Sequence, residues 1–196
     1  MRPRLTLPKP PHDLSPPQTA DRGLREKLHA AALKLGIPPN YGRQRGMRRI
    51  AEPSQLAFVG YDLNERPQWM LPRAAQAWLA MRHNAAADMV ELQLVSAFRS
   101  IEYQLGLVER KLQRGQALQE VLRVSAAPGY SEHHSGRALD VTTPGSRPLE
   151  EEFEGTSAFA WLNRHAVRFG FRLSFPRDNP HSIAYEPWHW CWHRPG

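Results

Sequence analysis

The sequence contains a single cysteine, Cys191, among 196 residues. An intramolecular disulfide is therefore excluded, and so is a thiolate-rich zinc site. Any metal must be held by histidine and carboxylate. No apolar run approaches the ~20 residues that a membrane-spanning helix needs. The N-terminal stretch "MRPRLTLPKPPHDLSPPQ" is basic but lacks the apolar centre of a signal peptide, so the face-value expectation is a cytosolic chain. There is no internal repeat. No nucleic-acid-binding motif accompanies the basic cluster "YGRQRGMRR" at 41–49.

What is present is ordinary globular composition: 41% hydrophobic and 23% charged residues, enough for one domain with a core. The net charge is +7, which favours acidic partners such as nucleic acid, anionic wall polymers or carboxylate substrates. Six tryptophans are present and four of them follow residue 160, which points to core or a pocket wall near the C-terminus. Residues 1–20 hold six prolines and read as an extended or disordered arm. A helical and basic extension over 21–65 follows, and the main domain runs over 66–196.

Helical spacing of Leu24, Leu28, Ala31 and Leu35 predicts a first helix, ended by Gly36 and Pro38. Further helices are predicted over 71–89, with Pro72 in the first turn, over 101–114 with Ser100 as its cap, over about 117–123, and over 156–170 with a threonine cap. Strands are predicted at 56–63, 91–98, in "RALDVT", in "FRLSF" and through "SIAYEPWHWCW". Helices and strands mix without a regular βαβ alternation. The class is α+β: one compact domain with a small antiparallel sheet flanked by helices.

Chemistry concentrates in "PGYSEHHSGRALDV", residues 128–141. Two histidines, a glutamate and an aspartate lie among small residues. A catalytic zinc site uses three protein ligands and keeps a fourth position open. His133 and Asp140 can supply two, with Gly136 and Ala138 allowing close backbone approach between them. "YEPWHW" at 185–190 offers His189 as the third ligand and Glu186 as a base for an attacking water. Residues three apart on an ideal strand face opposite ways, so a bend or bulge at Pro187 is needed to bring both to one site. His181 and His193 remain ordinary histidines. His134, next to His133, is expected to diverge from it.

The pattern S-x-H-x-x-G-x-A-x-D is complete as Ser131, His133, Gly136, Ala138 and Asp140; at ordinary residue frequencies its chance occurrence is roughly one in ten thousand. Together with "SAFRSIEYQ" at 96–104 and "YEPWHW", it resembles the zinc D,D- and L,D-carboxypeptidases of bacterial cell-wall metabolism, the VanY-type peptidases related to the D-Ala-D-Ala dipeptidases. The segment "FEGTSAFAWLNRHAVRFGFRLSFP" at 153–176 also matches, and the likeness runs from about residue 70 to 192. The resemblance implies a hedgehog/D,D-peptidase-like zinc fold with one Zn2+ ion on His133, Asp140 and His189, and Glu186 as general base. It implies Arg99 at the substrate carboxylate or the tetrahedral intermediate, Ser131 and Gln104 in the substrate pocket, and Trp188 and Tyr130 as walls. Relatives often carry glutamine where this chain has His134, which is then expected at the pocket rim. The implied partner is a peptidoglycan peptide ending in D-alanine, which suits the cell envelope better than the cytosol.

Two other readings compete. A zinc-stabilised binding module on the same fold would need the ligands but not Glu186 or Arg99. A basic nucleic-acid-binding protein accounts for the charge and for none of the three motif blocks. Nothing in the sequence bears on oligomeric state.

Overall fold

The computed structural model describes residues 5–194. Residues 1–4 of the proline-rich arm lie outside the described residues. The remainder of the arm contains neither helix nor strand. It is nonetheless anchored: Leu7 packs on the main core, Leu14 packs beside Phe58, Trp69 and Phe98, and the Ala20 amide donates to the buried Glu52 carboxylate.

The described residues form six α-helices and six strands: α1 (Arg22–Lys34), α2 (Tyr41–Gln44), β1 (Ala57–Tyr61), β2 (Pro67–Met70), α3 (Pro72–Ala87), β3 (Gln93–Ser96), α4 (Ile101–Gln113), α5 (Leu118–Arg123), β4 (Ala138–Thr142), α6 (Ser157–His165), β5 (Phe171–Leu173) and β6 (His189–Trp192). β1 and β2 form an antiparallel hairpin that joins residues on either side of position 65. The other four strands form one antiparallel sheet in the order β3-β4-β6-β5.

The helix ends follow the local chemistry. The Ser100 hydroxyl accepts from the Tyr103 amide at 3.0 Å and starts α4. Thr156 does the same for α6 through the Phe159 amide at 3.1 Å. α6 is shorter than the predicted helix, because residues 166–169 tighten into a 3-10 turn before Gly170.

Two further differences from the sequence reading concern strands. β2 was not anticipated; its four residues are too few to show a period. "SIAYEPWHWCW" is not one strand, since only His189–Trp192 pairs in the sheet. The preceding residues turn, with the His189 amide donating to the Glu186 carbonyl at 3.1 Å. Pro187, which has no N–H to give to a ladder, sits inside that turn.

Period-two alternation divides the central strands into an apolar face and a chemical face. Leu139 and Val141 of β4, with Trp190 and Trp192 of β6, join Trp78 and Met81 of α3 and Trp161 and Leu162 of α6 in the main core. Asp140 and His189 therefore point the other way, and the register sets them opposite each other. Ser96 of β3 is the partner of Asp140 on its other side. A second cluster joins α1, α4 and α5 through Leu28, Ala32, Ile101, Leu105 and Leu122. It carries the N-terminal extension.

Candidate metal centre

His133 stands in a 3-10 turn, Glu132–Ser135, immediately before β4. Gly136 ends that turn at φ +66°, where a β-carbon would fall 2.8 Å from the Leu71 nitrogen. Glycine is thus required twice over, by the left-handed backbone and by the close approach of α3. The turn carries His133 to Asp140 and His189, and the three residues can place one ligand atom each within 4.8 Å of one another. All three side chains are buried.

The hydrogen bonds decide which atoms are available. His133 Nδ1 lies 2.6 Å from the Ala97 carbonyl, which can only accept, so Nδ1 carries the hydrogen. Nε2 is then left with a lone pair, 3.2 Å from Asp140 Oδ2. Burial, aided by the positive charge of Arg99, holds His133 down at about 4, so the ring is neutral. His133 Nε2 is buried without a hydrogen-bond partner among the described residues. A lone pair and a carboxylate oxygen facing each other in a buried site is an arrangement that a cation resolves.

His189 closes the group. Its Nδ1 is 3.0 Å from Asp140 Oδ1 and its Nε2 is 2.9 Å from Glu132 Oε2. Burial disfavours charge on this ring, but the two carboxylates outweigh it and lift the pKa to about 10. Burial likewise opposes charge on Asp140, yet the protonated His189 bonded to it through Nδ1 holds its carboxyl well below the usual range. A dication can replace the shared protons, because the donor set of two imidazoles and one carboxylate is the kind zinc takes when one position stays open.

Glu186 and Arg99 flank the group. Glu186 Oε2 lies 3.8 Å from His189 Nδ1, and burial raises its carboxyl to about 7 despite the opposing pull of His189. Arg99 Nη2 lies 3.7 Å from Asp140 Oδ2, and its Nε is buried without a partner. Arg99 is fixed at the backbone, where its amide donates to the His133 carbonyl at 3.3 Å.

Two spaces open onto this constellation. A cavity of about 40 Å³ is lined by Arg99, Gln104, Ser131, His133, Glu186 and His189, among others. An outer groove of about 460 Å³ includes Arg99, Lys111, Asp140, Tyr185, Glu186 and Trp188. Ser131 and Gln104 thus border the inner space and Trp188 the outer one. Gln104 Nε2 donates to the Ala126 carbonyl at 2.9 Å, which leaves its buried Oε1 unpartnered.

Tyr130 is in neither lining. It packs in the second hydrophobic cluster, its ring centroid 5.1 Å from that of Tyr41. His134 is not a rim residue either: it is fully buried, with Nδ1 2.7 Å from the Arg99 carbonyl and Nε2 accepting from the Gly129 amide at 3.1 Å. Glu132 is the residue the sequence reading passed over. It fills a variable position of the histidine motif, and only the fold shows that its carboxylate reaches His189. The basic cluster at 41–49 is partly spent internally, since Arg45 donates to the His181 and Ser182 carbonyls and Arg49 contacts His29.

Comparison with known proteins agrees with this geometry. Residues 67–195 match the family model described as VanY, D-alanyl-D-alanine carboxypeptidase. YodJ of Bacillus subtilis (strain 168) is 30% identical over 164 residues, covering 80% of this chain and 56% of that protein. A D-alanyl-D-alanine carboxypeptidase of Enterococcus faecium is 32% identical over 134 residues, covering 66% of this chain and 39% of that protein. This chain therefore spans about half or less of the length of these two relatives. Among solved structures, the LdcB LD-carboxypeptidase superposes with a TM-score of 0.65 at 28% identity, covering 72% of this chain and 69% of that one. With the motif residues gathered at one point of the shared fold, the chain belongs to the VanY D-alanyl-D-alanine carboxypeptidase family.

Proposed function

We propose that the protein is a zinc-dependent carboxypeptidase that removes a C-terminal D-alanine from peptidoglycan stem peptides or their precursors. One observation carries the metal: the unprotonated, partnerless His133 Nε2 faces Asp140 Oδ2 at 3.2 Å in a buried site, with His189 Nδ1 3.0 Å from the other oxygen of the same carboxylate. His133, Asp140 and His189 are the ligands on this reading. When bound there, zinc supplies a water acidified to a pKa of about 7 and a Lewis acid for the scissile carbonyl.

The remaining work falls to the chain. Glu186 is placed to take a proton from the attacking water and to hand it to the departing amine. Its burial suits that shuttle, because a carboxyl raised to about 7 both accepts and returns a proton near neutral pH. Arg99 offers a guanidinium fork to the developing oxyanion or to the terminal carboxylate. The inner cavity, which Arg99 and Glu186 also line, is the seat of the terminal residue on this reading. Ser131 and the free Oε1 of Gln104 line it, and the longer acyl part of the peptide runs out along the groove beside Trp188. The family membership supports this assignment.

The decisive experiment is mass spectrometry of the products from defined tri-, tetra- and pentapeptide stems, with and without a chelator. Loss of one terminal D-alanine, abolished by chelation and restored by zinc, is the expected result. Intact peptides under all conditions would overturn the reading, and the stem length cut distinguishes D,D from L,D cleavage.

A further inference from the structure

Glu132 and His133 are neighbours in one 3-10 turn, yet they serve opposite sides of the site. His133 turns its Nε2 toward Asp140, whereas Glu132 reaches past it to the far edge of the His189 ring. Resting on the metal reading above, we propose that Glu132 is a positioning residue for zinc: its carboxylate holds the Nε2 hydrogen of His189 and so presents Nδ1 to the ion.

The argument is one of donor bookkeeping. His189 Nδ1 is the ring nitrogen on the side of Asp140 and Glu186, at 3.0 and 3.8 Å from their oxygens. If Nδ1 gives its lone pair to a cation, the single hydrogen of the neutral ring must sit on Nε2. His189 is only 3% exposed, so water does not readily serve that hydrogen. Glu132 Oε2, 2.9 Å away, is the acceptor that does. A carboxylate on the outer nitrogen also makes the inner one a better donor.

Glu132 is itself held in place. Ser174 and Cys191 lie against its carboxylate. The Glu132 carbonyl accepts from the Ser135 hydroxyl at 2.6 Å, which fixes the turn. One short turn thereby sets two ligands at once, one directly and one through its partner.

The test is zinc affinity of the full chain, measured by competition with a chromogenic chelator, for wild type, Glu132→Ala, His189→Ala and the double variant. Glu132→Ala is expected to bind zinc about 10–100-fold more weakly than wild type. In the double variant, loss of Glu132 should add almost nothing to loss of His189, because Glu132 acts only through that ring. Additive losses, or a folded Glu132→Ala protein within twofold of wild-type affinity, would overturn the proposal while leaving the metal reading intact. A wild-type protein that binds no zinc would remove both. Should Glu132→Ala lose its cooperative melt, the near-isosteric Glu132→Gln takes its place in the cycle. It keeps an acceptor and loses the charge, so it should weaken zinc several-fold and again be non-additive with His189→Ala; additivity there sinks the proposal equally.

Discussion

His134 ties its ring to the backbone of Arg99, with Nδ1 2.7 Å from the Arg99 carbonyl, and accepts the Gly129 amide on Nε2 at 3.1 Å. The ring is neutral, since burial holds it at about 4. It thus stitches the motif turn to the segment that presents Arg99. Replacing it by alanine strands one half-buried carbonyl and one half-buried amide, at about 1–3 kcal/mol each. His134→Ala should therefore lose about 2–5 kcal/mol in urea unfolding of the zinc-free protein, where metal binding does not mask the change. Glutamine has both a donor and an acceptor, so His134→Gln should recover most of that loss. An alanine variant as stable as wild type would show that the two bonds contribute nothing.

Glu186 should be separable from the metal. Its carboxylate approaches the candidate ligand His189 at 3.8 Å, and its carbonyl, which alanine would keep, accepts from the His189 amide at 3.1 Å. Glu186→Ala is expected to keep one zinc per chain by elemental analysis while kcat falls by about 10²–10⁴. His133→Ala should lose the zinc itself. Near-normal turnover in Glu186→Ala would dismiss it as the base, and unchanged zinc content in His133→Ala would transfer the ligand role elsewhere.

Arg99 should discriminate charge at the substrate terminus or in the transition state, and kinetics separate the two. If it binds the terminal carboxylate, wild type should cleave a free-acid peptide far better than its C-terminal amide, and Arg99→Met should erase that preference. If it serves the oxyanion, kcat should fall by about 10²–10³ for both peptides alike. Lysine should rescue incompletely in either case, because it lacks the planar fork. An Arg99→Met enzyme unchanged on both peptides would exclude either role.

Cys191 should be inert in the folded protein. It lies on the chemical face of β6, and burial pushes its thiol well above the usual value. A raised pKa means less thiolate at any given pH. Iodoacetamide at pH 8 should label the native chain at least about tenfold more slowly than the urea-unfolded chain. Equal rates would show that the thiol is open to solvent.

Much of the fold was written locally. Ser100 and Thr156 announce helix starts because a hydroxyl satisfies an otherwise orphaned amide within three residues. The central strand "RALDVT" and the last strand show the two-residue alternation that sends tryptophan, leucine and valine one way and aspartate and histidine the other. β2 escaped because four residues carry no period; the bend at Pro187 was legible, but the cutting back of the last strand to His189–Trp192 was not, because aromatic content before it imitates a strand.

The sequence by itself determined the donor types: with one cysteine, a metal site had to be built from imidazole and carboxylate. It also set small residues, Gly136 and Ala138, between His133 and Asp140; that the backbone at Gly136 is left-handed and pressed against Leu71 was a matter for the fold. Only the tertiary structure decided which nitrogen of each histidine faces Asp140, for the other nitrogen is taken by the Ala97 carbonyl and by Glu132, 36 and 57 residues away from the rings they contact. It also moved His134 and Tyr130 from the pocket into the frame around it. Motif spacing specifies where a side chain starts; what surrounds its far end is set by packing, and in this site that end is where hydrogen bonds and charge reside.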